Sequence, residues 1–254
     1  MKHENDFQAM LNKVPEVTLV FWILKILATT VGETAADVLS TTFNLGTVNT
    51  SYVMGALLLI SLFFQLRAKK YIPPIYWIVV VFISVVGTLI SDNLVDNLGI
   101  SLVTTTVIFT VVLAAVFVLW YVSEKTLSVH TIFTRRRELF YWAAILFTFS
   151  LGTSGGDLLS ERLGMGYPLS ALMFAAAIAL IYFGYRLGKG REVLAFWLAY
   201  ILTRPLGASI GDMLTQPKAD GGLGLGTVPI SVVFLVAIVV LVTYLTRQEQ
   251  EKPA

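Results

Sequence analysis

Long apolar stretches alternate with short polar segments along the whole chain. Eight of these stretches are long enough to cross the ~30 Å hydrocarbon layer of a bilayer as α-helices, which rise about 1.5 Å per residue. The predicted spans are residues 15–38, 47–66, 73–94, 100–122, 138–160, 166–186, 192–214 and 227–246. The pattern therefore predicts an all-α integral membrane protein with eight transmembrane helices.

One frame of residues recurs four times within these stretches. It consists of an aromatic residue and Trp, nine further residues, Gly, three further residues, a small residue and Asp. The copies are Phe21-Trp22…Gly32…Ala36-Asp37, Tyr76-Trp77…Gly87…Ser91-Asp92, Tyr141-Trp142…Gly152…Gly156-Asp157 and Phe196-Trp197…Gly207…Gly211-Asp212. Each copy opens a pair of spans, so all four point the same way across the membrane. The sequence predicts four parallel two-helix repeats about an axis along the membrane normal, with either pseudo-fourfold or pseudo-twofold symmetry.

The repeats divide the chain into segments. The first half maps onto the second with a constant shift of 120 residues, and the extra residues between the halves fall in a polar linker. The predicted segments are an N-terminal tail (1–13), repeat 1 (14–70), repeat 2 (71–122), a linker (123–137), repeat 3 (138–190), repeat 4 (191–247) and a C-terminal tail (248–254).

Composition agrees with membrane insertion and excludes several kinds of site. The chain is 56% hydrophobic and 13% charged, with a mean hydropathy of +0.79, which is typical of membrane proteins. It has no Cys, which excludes disulfides and thiolate metal sites. No nucleophile–base pair or phosphate-binding loop is present, and nothing indicates nucleic-acid binding. We therefore expect a protein that is not an enzyme and that carries no cofactor.

Basic residues are concentrated in the loops of one side. If the spans alternate in direction, most of the 18 Lys and Arg residues lie on the side that also holds both termini. Cytoplasmic loops carry an excess of Lys and Arg. The distribution predicts a multi-pass protein of the inner (cytoplasmic) membrane with cytoplasmic N- and C-termini.

The motif and its arrangement resemble a family of uncharacterised bacterial membrane proteins built from four tandem repeats, each with two transmembrane helices and a Trp. The most specific stretch is VPEVTLVFWILKILATTVGETAADVL, residues 14–39. The resemblance covers nearly the whole chain and implies the fold, while implying no activity.

The Gly and Trp positions of the motif have structural interpretations. Each Gly is followed four residues later by Ala, Ser or Gly, the spacing that lets helix backbones approach closely in lipid. The Trp residues lie on the predicted cytoplasmic half of their helices. There they either anchor and pack the helices or line a vestibule; these are Trp22, Trp77, Trp142 and Trp197.

Polar residues share one face of each motif helix. Residues four apart lie on the same face, so the column that ends at each Asp can be followed backwards. Together with adjacent positions, these columns supply a polar lining of Thr29, Thr34, Ser84, Thr88, Thr153, Ser154 and Ser209. A polar stripe of this kind normally faces a bundle interior or an aqueous path.

Charged residues are the strongest candidates for function. The predicted cation-binding residues are Asp37, Asp92, Asp157, Asp212 and Glu33. The four Asp residues are also the tentative metal ligands. Lys25 and Arg204 are predicted as charge partners of Glu33 and one Asp, either as fixed buried pairs or as pairs that open when a cation or proton reaches the acids and releases Lys25 or Arg204. The structural alternative is that the Asp residues end their helices in Asx-type turns and face water.

Three functions are compatible with these residues. The first is a transporter or permease for a hard cation such as Mn²⁺, Mg²⁺ or Ca²⁺, with a divalent ion as bound substrate and with proton coupling left open. The second is a carrier or exporter of organic cations, in which aromatic rings stack on the substrate. The third is a membrane scaffold or sensor whose acids are structural. The expected partners are the lipid bilayer and a cationic substrate, and oligomerisation is left open.

Overall fold

The regular secondary structure is helical throughout the part of the chain that the structure describes. This structure is a computed structural model, and it describes residues 12–188 and 191–251. The long helices are α1 (Leu19–Asp37), α2 (Gly46–Arg67), α3 (Pro73–Asp92), α4 (Leu102–Glu124), α5 (Arg135–Asp157), α6 (Tyr167–Arg186), α7 (Glu192–Thr215) and α8 (Thr227–Glu251). The predicted tails lie largely outside the described residues, which include only residues 12 and 13 of the first tail and 248–251 of the second.

Local sequence signals set the ends of these helices. Thr18 accepts a hydrogen bond from the backbone N–H of Phe21, and so α1 begins four residues later than its predicted span. Ser101 and Thr134 cap α4 and α5 in the same way, which satisfies amide groups that have no partner in the first turn. The turns within the repeats end in Gly with positive φ, at Gly46, Gly99, Gly164 and Gly226.

Seven of the described helices are long and apolar enough to cross a membrane. The sequence predicts eight spans, and α5 is the helix that this criterion omits. Its first turn carries three Arg residues and Glu138, and its second half is rich in Gly, Ser and Thr. The other helices present large apolar side chains outward, such as Leu59 and Leu180, which are 70% and 73% exposed. Such a surface indicates a lipid bilayer environment and a multi-pass membrane protein.

The four motif helices α1, α3, α5 and α7 form a closed inner ring. Helix α1 packs against α3 and α7, and α5 packs against the same two helices from the opposite side. The inner helices are the more buried ones: 61% of the apolar window of α1 is buried, against 11% of that of α8.

Each outer helix packs on an inner helix of a different repeat. Helix α2 packs on α3, α4 on α5, α6 on α7, and α8 on α1. The second helix of every repeat therefore covers the motif helix of the next repeat, and the last repeat covers the first.

The motif Gly residues lie where neighbouring inner helices approach most closely. A Cβ atom added at any of the four would overlap a side chain of the next inner helix. The contacts are Gly32 with Ser84, Gly87 with Phe149, Gly152 with Arg204 and Gly207 with Thr29. The four contacted residues occupy the same position of their repeats. The Gly positions thus pack helices, as the sequence predicts.

Three inner helices continue beyond their Asp residue as a turn of π-helix. These turns are Val38–Thr42, Asn93–Asn97 and Leu158–Arg162. The side chains of Asp37, Asp92 and Asp157 form no cap on the turns that follow. In the fourth copy the α-helix continues to Thr215, with Pro205 inside it. The Asp residues therefore do not end their helices in Asx-type turns.

The segment before α1 ties two loops together at the N-terminal ends of the inner helices, which we call the basic end. Lys13 Nζ lies 2.7 Å from Glu138 Oε2, with both side chains buried. Gln65 donates to the other oxygen of Glu138 at 3.0 Å. Asn12 and Lys13 also bond to the linker that contains Ile132. Glu138, in the first turn of α5, is thus part of a buried ion pair.

Candidate cation site

The inner ring brings the polar columns of all four repeats to its centre. Arg204 of α7 is 0% exposed and reaches across to the other three inner helices. Its Nη2 donates to Glu33 Oε2 at 2.6 Å, to Thr153 Oγ1 at 2.8 Å and to Thr88 Oγ1. Its Nη1 donates to the backbone oxygen of Thr29 at 2.5 Å. One guanidinium thus connects all four motif helices.

The groups that hold this guanidinium come from equivalent repeat positions. Glu33, Thr88 and Thr153 each lie four residues before the motif Asp, and Ala208 is the fourth member of the set. The small Ala208 leaves space on the helix that supplies Arg204. Repeat 4 therefore provides the cation, and the other repeats provide the oxygen atoms that surround it.

These oxygen atoms all act as acceptors. Thr88 donates its hydroxyl proton to the backbone oxygen of Ser84 at 3.2 Å, and Thr153 donates to that of Phe149 at 3.3 Å. Their lone pairs remain available to the guanidinium. With one carboxylate and one backbone carbonyl, the site presents acceptors and a single negative charge.

Lys25 does not have the predicted role of charge partner. It is 1% exposed, and its Nζ forms no hydrogen bond or ion pair with any described residue. Instead Nζ lies 3.9 Å from the ring centroid of Phe149 and 4.1 Å from that of Tyr200. The amine is held by two aromatic faces. Of the two predicted base–acid pairs, the structure contains the one between Arg204 and Glu33.

The motif Asp residues lie nearer the opposite end of the ring, which we call the acidic end. Asp212 is 7% exposed, and Asp37, Asp92 and Asp157 are partly buried. Each of the four carboxylates interacts electrostatically with the negative charge of Glu33. Glu33 is therefore the common electrostatic neighbour of the set.

The structure does not gather these acids into a metal site. Within residues 12–188 and 191–251, no three His, Asp or Glu side chains lie close enough together to hold a metal ion. The tentative assignment of Asp37, Asp92, Asp157 and Asp212 as metal ligands stays a prediction that this geometry does not support.

Two further acids belong to the acidic end and were not among the candidate residues. Asp96 and Glu161 lie four residues after Asp92 and Asp157, within the π-helical turns. Glu161 interacts electrostatically with Glu33, and Asp96 with Asp92. Following each polar column forward as well as backward would have found both.

The predicted lining residues are all buried but have different neighbours. Thr34 accepts a hydrogen bond from Ser231 of α8 at 2.7 Å, so it faces an outer helix rather than the centre of the ring. Ser154 donates to the backbone of its own helix, at Ser150. Ser84 packs against Gly32, and Ser209 is 2% exposed. Of the predicted lining, Thr29, Thr88 and Thr153 contact the guanidinium.

Aromatic side chains fill the ring at its basic end. Tyr76 and Tyr141 share a hydrogen bond of 2.5 Å between their hydroxyl groups. Trp77, Trp142 and Trp197 are 1%, 4% and 4% exposed. Their burial agrees with a packing role rather than with the lining of an open vestibule.

Trp22 has a different setting from the other motif Trp residues. It is partly buried and lies on the wall of a groove of about 830 Å³ between α1, α6 and α7. The groove is mostly apolar, and Glu192 and His130 lie at its rim with their side chains 3.1 Å apart. This groove opens at the side of the bundle and not along the centre of the ring.

Comparison with known proteins gives one family. The sequence model described as Repeat of Unknown Function (DUF347) matches four segments, residues 20–71, 75–126, 140–189 and 195–251. Each match contains one motif helix and the outer helix that follows it. No curated protein and no solved structure matches the chain.

Proposed function

Since the chain belongs to the Repeat of Unknown Function family, which assigns no activity, we propose from its geometry that it is a cation transporter whose path runs through the centre of the inner ring. The observation that carries this proposal is the position of the acids. Four Asp residues, one from each repeat, lie towards one end of the ring and interact electrostatically with Glu33, in a bundle whose outer surface is apolar. Acids inside a membrane are expensive to keep and are usually functional.

The arrangement of the helices supports a single path rather than two separate grooves. The four inner helices contact each other in a closed ring, and the four Gly contacts repeat with the same offset. The proposal therefore includes eight membrane-spanning helices with pseudo-fourfold symmetry about the membrane normal. Helix α5 crosses the membrane as a member of the ring, shielded from lipid by its neighbours.

Charge sets the proposed orientation. The loops and helix ends at the basic end hold Arg67, Lys125 and Arg135–Arg137, so this end faces the cytoplasm of a bacterial cell. The acidic end then faces outward, where its carboxylates attract cations from solution. Arg204 fills the centre of the ring and aromatic residues fill its basic end, and this packing supports a proposed path that is closed on the cytoplasmic side.

Replacement of single acids tests the proposal. The variants Asp37→Asn, Asp92→Asn, Asp157→Asn and Asp212→Asn are each expected to lower cation uptake at least about tenfold. This corresponds to about 1.4 kcal/mol of lost interaction with the cation in the path. The measurement is uptake of Mn²⁺, Mg²⁺ and methylguanidinium into proteoliposomes that contain the purified protein.

Glu192→Gln is the matched control, because it also removes one carboxylate but lies at the basic end with its side chain 63% exposed. It is expected to retain wild-type uptake. Wild-type uptake in all four Asn variants would contradict the proposal. Variants that fail to assemble, together with a wild-type protein that transports no cation, would favour a scaffold or sensor.

A further inference from the structure

The guanidinium of Arg204 occupies a site that the other three motif helices build around it. Its four partners are the carboxylate of Glu33, the hydroxyl groups of Thr88 and Thr153, and the backbone oxygen of Thr29. These partners contribute acceptors from α1, α3 and α5. A single side chain of α7 lies within hydrogen-bond distance of all four, with three of the acceptors sharing the two N–H groups of Nη2.

We propose that this is the substrate-binding site, and that Arg204 is a tethered cation which the transported cation must displace. The inference rests on the proposed function and names its substrate class: monovalent organic cations with several N–H donors, of the guanidinium type. Transport then requires Arg204 to leave Glu33 when the substrate binds there, and to return after the substrate has left.

The charge of the site favours a monovalent substrate. Glu33 is the one acid among the four partners of Arg204, so a single positive charge balances it. A divalent ion would exceed the charge of Glu33 by one, and the motif Asp residues, which lie nearer the acidic end, form no ion pair with Arg204 that could balance the excess. Uncompensated charge in a medium of low dielectric constant is costly.

The geometry of the acceptors favours a planar donor over a metal ion. The acceptors are arranged to receive N–H groups from two nitrogen atoms of one guanidinium, at 2.5–2.8 Å for the Thr29, Glu33 and Thr153 contacts. The ring of Phe149 lies 5.7 Å from the central carbon of the guanidinium, within the range of a cation–π contact. Acidic residues are otherwise absent from these contacts, whereas Mg²⁺ and Ca²⁺ sites usually contain several carboxylate or water oxygens.

The residues at the equivalent positions of the other repeats suggest a substitution that removes the guanidinium from the site. Ser84 and Thr29 occupy the position of Arg204 in repeats 2 and 1. Arg204→Ser therefore removes the tethered cation and keeps a residue that this position accepts elsewhere. Glu33→Thr is chosen in the same way, because Thr88 and Thr153 occupy the position of Glu33 in repeats 2 and 3. This substitution removes the negative charge of the site.

Binding to the site is tested by thermal unfolding of the protein in the presence of the chloride salt of each cation. Guanidinium and methylguanidinium, at low millimolar concentration, are expected to raise the Tm of Arg204→Ser by about 3–6 °C at ten times Kd. The wild-type protein should respond at higher concentrations, because Arg204 competes for the site. Tetramethylammonium, which has no N–H donor, and Mg²⁺ should produce no shift. Adding Glu33→Thr to Arg204→Ser should abolish the response.

Uptake of methylguanidinium by wild-type proteoliposomes separates a substrate site from a structural Arg. We expect uptake by the wild-type protein, and at least a tenfold loss in Thr153→Val, which keeps the shape of the side chain without its acceptor. Guanidinium or methylguanidinium could stabilise Arg204→Ser while the wild-type protein takes up no methylguanidinium. That result would overturn the inference. If Arg204→Ser does not fold, wild-type uptake and its loss in Thr153→Val still decide the question.

The outcomes also distinguish this inference from the proposed function. Uptake of Mn²⁺ or Mg²⁺ without uptake of methylguanidinium would contradict the substrate class and leave cation transport standing. No uptake of any of these cations by the folded wild-type protein would overturn both.

Discussion

At the scale of single residues, Arg204 and Glu33 join two motif helices at the centre of the ring through a buried ion pair. The two side chains are separated by 171 residues in sequence, and their atoms lie 2.6 Å apart. Removing one member of a buried ion pair leaves the other charge without compensation, whereas removing both eliminates the desolvation penalty of each. Their individual contributions to stability are therefore strongly coupled.

This coupling gives a measurable expectation. Arg204→Ser should lower the free energy of unfolding by about 3–5 kcal/mol, since Glu33 then remains charged and buried. The double variant Arg204→Ser with Glu33→Thr should recover more than half of that loss. A double-mutant cycle measured by chemical unfolding in detergent provides the coupling energy. Losses that simply add would show that the two side chains do not interact.

Sequence reasoning identified most of the residues at this site but not how they combine. A polar column on one helix indicates which face is polar, but it does not show which side chain of another helix will reach it. Arg204 could thus be named as a charge partner, while Lys25, on the same kind of face, is held by Phe149 and Tyr200. Asp96 and Glu161 continue the same four-residue spacing beyond Asp92 and Asp157, so a column that is taken to end at its Asp omits them.

At the scale of helices, the repeated Gly sets the distance between neighbours in the ring. A Cβ atom at Gly87 would lie 2.6 Å from Phe149 Cβ, and one at Gly152 would lie 2.9 Å from Pro205 Cδ. Both neighbours are close to the backbone of the next inner helix and have little freedom to move. These contacts leave no space for a methyl group.

Gly87→Ala and Gly152→Ala should therefore lower stability by about 1–3 kcal/mol through overpacking. Gly55→Ala in α2 and Gly184→Ala in α6 are matched controls, because a Cβ at either site meets no atom within 4 Å. The controls should keep or slightly raise the Tm, since Ala favours a helix more than Gly does. Equal Tm values for all four variants would contradict the packing role.

The helices were predictable from sequence to within a few residues for simple physical reasons. A span must be apolar over a fixed length, and Leu-Gly turns and Thr or Ser caps mark its ends. The pairing of helices was not predictable in the same way. Nothing in one repeat indicates that its outer helix will pack on the inner helix of the next, as α2 does on α3.

At the scale of the whole molecule, the two ends differ in charge and should lie on opposite sides of the membrane. The chain has no Cys, so a single introduced Cys reports its own position. Leu98→Cys lies at the acidic end, where Leu98 is 70% exposed, and Gln250→Cys lies near the end of α8. A membrane-impermeant maleimide applied to intact cells should label the first and not the second. The reverse result would contradict the proposed orientation.

The packing of α8 on α1 has a consequence for how the protein is made. Ribosomes make α1 before α8, so the helix that covers α1 does not exist until the other long helices have been made. Arg204, which neutralises Glu33 of α1, is also made late. During translation Glu33 of α1 therefore has no ion-pair partner until α7 is made, at a cost of roughly 2.5–3.5 kcal/mol for a charge at the centre of a membrane helix. The ring can close only after α7, its fourth member, has been made.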